Sequence, residues 1–250
     1  MSSERQLLES EGRWWGEHVH RYRQAIKYIE PGNNVLDIAC GTGFGTDILA
    51  SHTNGKVIGG DISAGAIEEC KRHWNKPNIE FRVLDGTALE FNDHYFDVIV
   101  SFETIEHTTS YAKMLAEFSR VLKPGGRLIL STPNAAITSP DGVIHNPYHT
   151  QEFHYDELKE LLAGVFPSPQ VYGQRYSRYD KSSAWKKIGN VFEKIMLAFG
   201  VRKLPYGLRS GFMKFCFGYP LYPRADDFLL EDNVTKIKQQ APVLFAVCKK

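Results

Sequence analysis

Val35-Leu-Asp-Ile-Ala-Cys-Gly-Thr-Gly-Phe-Gly-Thr46 is the stretch that decides the fold. Asn34–Ile38 reads as a buried strand, and a glycine-rich turn follows it directly. Gly41, Gly43 and Gly45 lack a Cβ, so the backbone there can turn tightly and approach a ligand. Asp37 brings a carboxylate toward the carboxyl end of that strand. In open α/β sheets ligands bind at this edge. The stretch therefore predicts a small-molecule site beside the first strand.

Working outward toward the amino end, residues 17–29 (EHVHRYRQAIKYI) carry Val19, Tyr22, Ile26 and Ile29 at helical spacing. Pro31-Gly32 closes that helix. Trp14 and Trp15 ahead of it read as core packing, with closure over a ligand as the alternative. In the other direction the glycine turn runs into a helix that reaches about Ala50. KVIGGDIS (56–63) is a strand ending in Asp61, and residues 64–74 are helical. IEFRVL (79–84) is a strand that ends at Asp85-Gly86, and YFDVIVS (95–101) is a buried strand. An amphipathic helix over 111–122 stops at Lys123-Pro-Gly-Gly126, before the strand RLILST (127–132). A helix over 154–165, a strand over 169–174 and a last strand Val243–Cys248 complete the order. Strand and helix alternate from 34 to 132, which predicts an α/β, doubly wound parallel sheet.

Composition narrows the class. A chain of 250 residues buries a substantial core without staples. Cys40, Cys70, Cys216 and Cys248 form no CxxC pair, which argues against a disulfide framework or thiolate zinc and suits a reducing, cytoplasmic setting. The first fifteen residues are too charged for a signal peptide, and no apolar run is long enough to span a bilayer. Net charge is +1, yet residues 175–224 hold eleven Lys/Arg against Asp180 and Glu193. That segment is +9 and the remainder −8. It is rich in aromatics, lacks the alternation, and reads as an insertion before the last strand.

A glycine turn alone is a weak signal, because dinucleotide sites carry one too. Here the spacing is Gly41-x-Gly43-x-Gly45, not GxGxxG, and acids end the next two strands at Asp61 and Asp85. With Lys-Pro-Gly-Gly before the fifth strand, residues 17–174 plus the final strand resemble the class I S-adenosylmethionine-dependent methyltransferases. The resemblance implies a Rossmann-like seven-stranded sheet, mostly parallel with an antiparallel last strand. It implies one domain over 1–250, with a core at about 17–174 and 240–250 and an insertion at about 175–224. It implies S-adenosylmethionine as co-substrate. Asp61 would take both ribose hydroxyls, Asp85 beside Gly86 the adenine amino group, and Ile62 the adenine face. Asp37 and the backbone of Ala39, Gly41, Thr42 and Gly43 would hold the methionyl end. Ser101 and Phe102 follow the fourth strand, where the family contacts that moiety, and Arg21 could pair with its carboxylate. Ala39 stands where this family often has glycine. Taken singly, Asp61 or Asp85 reads as a solvated loop acid; together at these strand ends they favour the cofactor.

After the fourth strand comes Ser101-Phe-Glu-Thr-Ile-Glu-His107. Glu103, Glu106 and His107 would share one face of a helical turn. Two carboxylates crowded there repel unless a cation sits between them. Glu-x-x-Glu-His resembles the metal-binding motif of ubiquinone-biosynthesis and small-RNA 2′-O-methyltransferases, and His149 matches a further histidine of the latter. The resemblance implies a divalent cation (Mg, Mn, Zn or Fe) on Glu103, Glu106, His107 and His149. A coordinated hydroxyl is a better nucleophile, and His145, His154 or a metal-bound histidine (His107 or His149) could take its proton. The alternative is that Glu106-His107 caps a helix or touches substrate without metal.

Glu17-His-Val-His-Arg-Tyr22, Asn146-Pro-Tyr-His149 and Phe153-His-Tyr-Asp-Glu-Leu158 resemble bacterial methyltransferases of surface-polysaccharide assembly. So do Tyr172-Gly-Gln174 and Phe245-Ala-Val-Cys-Lys249. That resemblance implies a sugar-containing acceptor, lipid-linked in one version. The insertion reads first as a lid. It reads second as contact with an anionic acceptor or the inner face of the membrane through 185–222, where Trp185, Ile188, Val191, Phe192, Ile195 and Phe199 make a stripe. RNA comes last. A catechol or quinone precursor and RNA are the alternative acceptors, and a cofactor-binding regulatory module is the non-enzymatic one.

Overall fold

A computed structural model describes residues 15–177 and 224–250. The elements are α1 (Trp15–Ala25), β1 (Val35–Ile38), α2 (Phe44–Ala50), β2 (Val57–Asp61), α3 (Ala64–His73), β3 (Ile79–Val83) and β4 (Phe96–Phe102). Then come α4 (Tyr111–Val121), β5 (Leu122–Pro133), α5 (Ala135–Thr138), α6 (Tyr155–Ala163), β6 (Gln170–Tyr176), β7 (Phe228–Glu231), α7 (Val234–Gln240) and β8 (Val243–Lys249).

All strands join one sheet in the order β3-β2-β1-β4-β5-β8-β6-β7. β1 to β5 pair in parallel. β8 enters antiparallel between β5 and β6, as expected for the last strand. Among the described residues the sheet has eight strands where seven are expected, because β7 adds an antiparallel edge beside β6. β7 is four residues (Phe-Leu-Leu-Glu) between acidic neighbours, too short to show a period.

Alternation along the strands builds two helical layers. Val35, Val57, Val98, Val100 and Ile129 face one side, with Tyr22 and Ala25 of α1 and Leu49 of α2. Leu36, Ile58, Ile99, Leu128 and Leu130 face the other, with Met114, Leu115 and Phe118 of α4 and Leu158 and Leu162 of α6. Strands buried on both faces read as continuous apolar runs, which is why the sequence shows them clearly. Phe118 is fully buried, so truncating it to alanine would cost about 3–5 kcal/mol.

Two expectations need correcting. The first helix ends at Ala25 and tightens into a 3₁₀ turn over Ile26–Tyr28. Its buried face is Gly16, Glu17, His20, Arg21, Tyr22 and Ala25, and the apolar stripe with Val19, Ile26 and Ile29 packs half-buried against the core beside it. That face is largely polar because its side chains bond to groups on other elements. The three loop glycines also divide by role. A Cβ on Gly45 would lie 1.8 Å from the Tyr22 ring, so this glycine lets α1 pack on α2. A Cβ on Gly43 would lie 2.8 Å from Trp74. Only Gly41, at φ +58°, faces open space.

Cys40, Cys70 and Cys248 are free and buried. Among the described residues no helix is long and apolar enough to cross a membrane. Most of the basic insertion, with the 185–199 stripe and Cys216, lies outside the described residues.

Candidate active site

The first half of the site lies at the carboxyl ends of β1 and β2. Asp37 is buried, taking 2.6 Å from the Thr46 hydroxyl and 3.1 Å from the Tyr22 hydroxyl. Burial pushes its pKa up to about 7 against those two hydrogen bonds, and the Asp61 charge adds to the rise. Asp37 therefore ties the loop to α1 and α2. Asp61 accepts from Gly41 N at 3.0 Å and Ser63 N at 2.9 Å, one on each oxygen. A carboxylate accepts up to about four hydrogen bonds, so a vicinal diol can add to these. Ala39, at φ +61°, shares the left-handed backbone of Gly41 and Gly43.

Ile62 is 75% exposed, a large apolar side chain at a strand end, beside the loop. Asp85 accepts from the Thr87 N–H and hydroxyl, both at 2.8 Å on Oδ1. These bonds hold it below the ordinary carboxylate range. Gly86 is buried against Met114. Phe102 is buried between Tyr22 and Phe245, with ring centroids 5.0 and 5.9 Å away.

Arg21 is 1% exposed and sits between two carboxylates, Glu17 at 3.6 Å and Glu103 at 3.7 Å. It donates 3.0 Å to Gln174 Oε1 on β6, and Gln174 in turn meets the Glu17 carbonyl and the His20 ring. Burial first, then the Arg21 charge, depresses the pKa of His18 and brings His20 down to about 4. Gln174, Tyr22 and Glu17 were not singled out as site residues from the sequence. Gln174 meets α1 from more than a hundred residues away and Tyr22 reaches Asp37 on another element, which no local pattern reveals; only Glu17 and Arg21 share an i,i+4 spacing.

The second half lies at the ends of β4 and β5. Glu106, His107 and His149 each offer a ligand atom within 4.8 Å of the others. Glu106 is fully buried and takes 2.9 Å from the Thr132 hydroxyl. Burial raises its pKa well above the carboxylate range, and the Glu103 charge adds to this. The His107 and His149 rings meet edge to face at 5.0 Å. His107 Nδ1 lies 3.0 Å from the Tyr148 carbonyl, and His149 Nδ1 lies 2.8 Å from Glu152 Oε1. Both contacts need a proton on Nδ1, which leaves Nε2 as the acceptor end of each ring. Asn146 Nδ2 lies 2.9 Å from His149 Nε2, and its orientation is fixed by Tyr148 N on Asn146 Oδ1 at 3.0 Å.

Two candidates are not in this cluster. Glu103 has φ +49°, so the chain does not form the helical turn that would align it with Glu106. Only Ile105–His107 makes a 3₁₀ turn. Glu103 instead accepts from Ser131 Oγ at 2.8 Å and faces Arg21. His145 is exposed beside Asp141, 3.2 Å away, apart from the cluster. The structure adds Glu152, which also binds Ser139 Oγ at 2.8 Å and the Thr138 hydroxyl. A lone acid three residues after a histidine carries no sequence signal.

Among the described residues, four buried side-chain atoms have no hydrogen-bond partner: Arg21 Nε, Thr42 Oγ1, Ser101 Oγ and Glu106 Oε1. All four belong to residues of this edge. An unpaired buried polar atom costs about 1–3 kcal/mol, so a polar ligand entering here is repaid.

Fold and edge together define an α/β enzyme scaffold of the Rossmann-like methyltransferase type. Residues 36–130 match the family described as "Methyltransferase domain". A Mycolicibacterium smegmatis protein described as "Probable S-adenosylmethionine-dependent methyltransferase" is 35% identical over 156 residues, 62% of this chain and 59% of its own. A demethylmenaquinone methyltransferase of Symbiobacterium thermophilum is 38% identical over 126 residues, 48% of this chain and 49% of its own. These matches span well under two thirds of either relative. A crystal structure of a SAM-dependent methyltransferase from Archaeoglobus fulgidus superposes with a TM-score of 0.60 at 18% identity, covering 94% of both chains, which shows the shared fold. Residues 36–130 thus match a methyltransferase-domain family, within a sheet that has the Rossmann-like methyltransferase fold.

Proposed function

We propose that the protein is an S-adenosylmethionine-dependent O-methyltransferase that acts, with a divalent cation, on a hydroxyl of a sugar-containing acceptor. The residues fit the co-substrate. Asp61 offers acceptors to the ribose diol, ionised Asp85 offers Oδ2 to the adenine amino group, and exposed Ile62 offers its face to the ring. Open space over Gly41 and the partnerless Thr42 and Ser101 hydroxyls suit the methionyl end. Asp37 shapes the loop from beneath. Arg21 retains Nε for a carboxylate, although Glu17 and Glu103 already balance its charge. When bound, S-adenosylmethionine supplies an electrophilic methyl group on a sulfonium.

The observation that carries the acceptor half is the cluster of Glu106, His107 and His149, with Glu106 Oε1 unpartnered inside it. Oxygen and imidazole ligands of this kind suit a divalent ion, which lowers the pKa of a coordinated hydroxyl and fixes its direction. Tyr148 O and Glu152 hold the two rings by Nδ1, the arrangement that orients imidazole ligands. His149 would give up its Asn146 hydrogen bond to serve as a ligand. Glu103 acts from outside, by placing Arg21.

The test is a methyl-transfer assay over glycan, catechol and RNA acceptors, with and without metal. Glu106→Gln and His149→Ala should lose about 10–100-fold of metal-stimulated turnover and still bind S-adenosylhomocysteine. Full activity in excess chelator would overturn the cation. A second reading, a small catechol or quinone precursor, is favoured by the relative named demethylmenaquinone methyltransferase.

A further inference from the structure

Between the amino-terminal ends of α4 and α6 lies a cleft of about 290 Å³, lined by Tyr111, Gln151, Glu152, Phe153, Glu157 and Leu161. Both helices follow strands whose carboxyl ends form the site, so the cleft opens at the same edge of the sheet. It is joined to the cluster by covalent and hydrogen-bonded links. Gln151 N and Thr150 N donate to the Glu106 carbonyl at 3.3 and 2.8 Å. Glu152 forms the wall between them, since its other side holds His149.

The groups that line the cleft share one chemical property. Gln151 Nε2 donates one N–H to the Thr108 carbonyl at 3.3 Å, which leaves Oε1 and the second N–H to bind. Glu157 takes the His154 N–H at 2.9 Å on Oε2, which leaves Oε1. Tyr111 and Phe153 meet edge to face at 5.6 Å and supply an aromatic wall with a phenol at its rim. Among the described residues no lysine or arginine lines it. The cleft thus offers mostly acceptors, one hydroxyl, one amide N–H and an aromatic surface. It suits a ligand that donates several hydrogen bonds, and it opposes phosphate, sulfate or carboxylate. A cation is less well served than a neutral polyol. The buried carboxylate, Glu152, is already met by His149, Ser139 and Thr138, and Glu157 is exposed, where water screens its pull. The volume sits at the lower end for ligand pockets, about 300–1,000 Å³, the size for one ring rather than a chain.

We infer that this cleft is an acceptor subsite that holds one neutral, hydroxyl-rich ring beside the ring whose hydroxyl reaches Glu106, His107 and His149. The inference rests on the proposed function and specifies its acceptor: at least two linked rings, with a neutral one next to the reaction. Anionic parts of the acceptor lie elsewhere.

Ligand-observed saturation-transfer NMR on the full chain with S-adenosylhomocysteine tests it. The probes are neutral methyl glycosides and disaccharides, against glucuronate and glucose 6-phosphate. Neutral sugars should give transfer and the anionic pair should not. Leu161→Trp, which fills the cleft, should abolish the signal, and Gln151→Ala should weaken binding about ten-fold, the effect of one hydrogen bond. Both variants should bind S-adenosylhomocysteine as the wild type does. Equal sugar signals in Leu161→Trp and wild type, anionic probes matching neutral ones, or no sugar signal at all would each overturn the subsite. If S-adenosylhomocysteine binds none of the proteins, the methyltransferase reading itself fails.

Discussion

Asp37 stores a pH dependence. Its folded pKa of about 7 lies above the ordinary carboxylate value of about 3.9, so the fold favours the protonated form. Its contribution to stability is complete below pH about 4 and is lost as pH rises through about 7. His20 has the opposite sign. Depressed from 6.5 to about 4, it contributes fully above pH 6.5 and is lost as pH falls through about 4. Asp37→Asn keeps one acceptor oxygen for Thr46 or Tyr22, replaces the other with an amide donor, and removes the titration. Urea unfolding from pH 4 to 8 should show the wild type losing about 3–4 kcal/mol across that limb relative to Asp37→Asn. Parallel curves for the two proteins would sink the assignment. Ala39 carries a second residue-scale cost. At φ +61° an alanine is strained by about 1–2 kcal/mol, and glycine gives back up to about 1 kcal/mol in unfolded-chain entropy. Ala39→Gly should therefore raise the melting temperature slightly in calorimetry, unlike most loop substitutions to glycine.

At the scale of elements, the α1–α2 contact is where the cofactor loop meets the rest of the site. Tyr22 packs over Gly45, donates to Asp37 and meets Phe44 and Phe102 edge to face at 5.3 and 5.0 Å. Gly45→Ala puts a methyl group into that ring. The rigid α2 cannot yield, so α1 must lift, carrying Arg21 away from Glu103. Destabilisation of about 1–3 kcal/mol is expected in urea, with weaker S-adenosylhomocysteine binding by calorimetry, and Gly45→Ala in Tyr22→Ala should recover part of both. This contact also marks the limit of what sequence showed. Strands such as Val98-Ile-Val100 were legible because burial on both faces forces an apolar run. Asp61 and Asp85 stand out in the sequence as acids at strand ends, but the bonds that hold them, from Gly41 and Ser63 and from Thr87, are set by the loops. Gly45 was misread as a ligand-facing glycine because its partner, Tyr22, lies on a helix that precedes the loop. Glu103 was misplaced because a helical period was assumed where Ser131 on the neighbouring strand holds the backbone at φ +49°. Glu152 carried no pattern, since its role comes from the loop that turns it under His149.

For the whole molecule, charge is divided more sharply than the total suggests. Residues 175–224 carry +9 and the rest −8 within a net +1. The cleft beside the cluster belongs to the acidic part, and its lining opposes anions. An acceptor that joins a neutral sugar to an anionic carrier would then divide between the two, the ring at the cleft and the carrier at the basic segment. Attraction between exposed charges is screened over about 10 Å at 0.1 M salt, so such contact must fade with ionic strength. The expected result is that the full chain sediments with vesicles containing anionic lipid at low salt, and less so as salt rises. Lys186→Gln, Lys187→Gln and Lys194→Gln combined should abolish sedimentation while leaving S-adenosylhomocysteine affinity and neutral-sugar binding unchanged. Neutral vesicles should pellet neither protein. Sedimentation that survives both high salt and the triple substitution would show that the segment's charge is not what meets the lipid, and would leave its apolar residues as the contact.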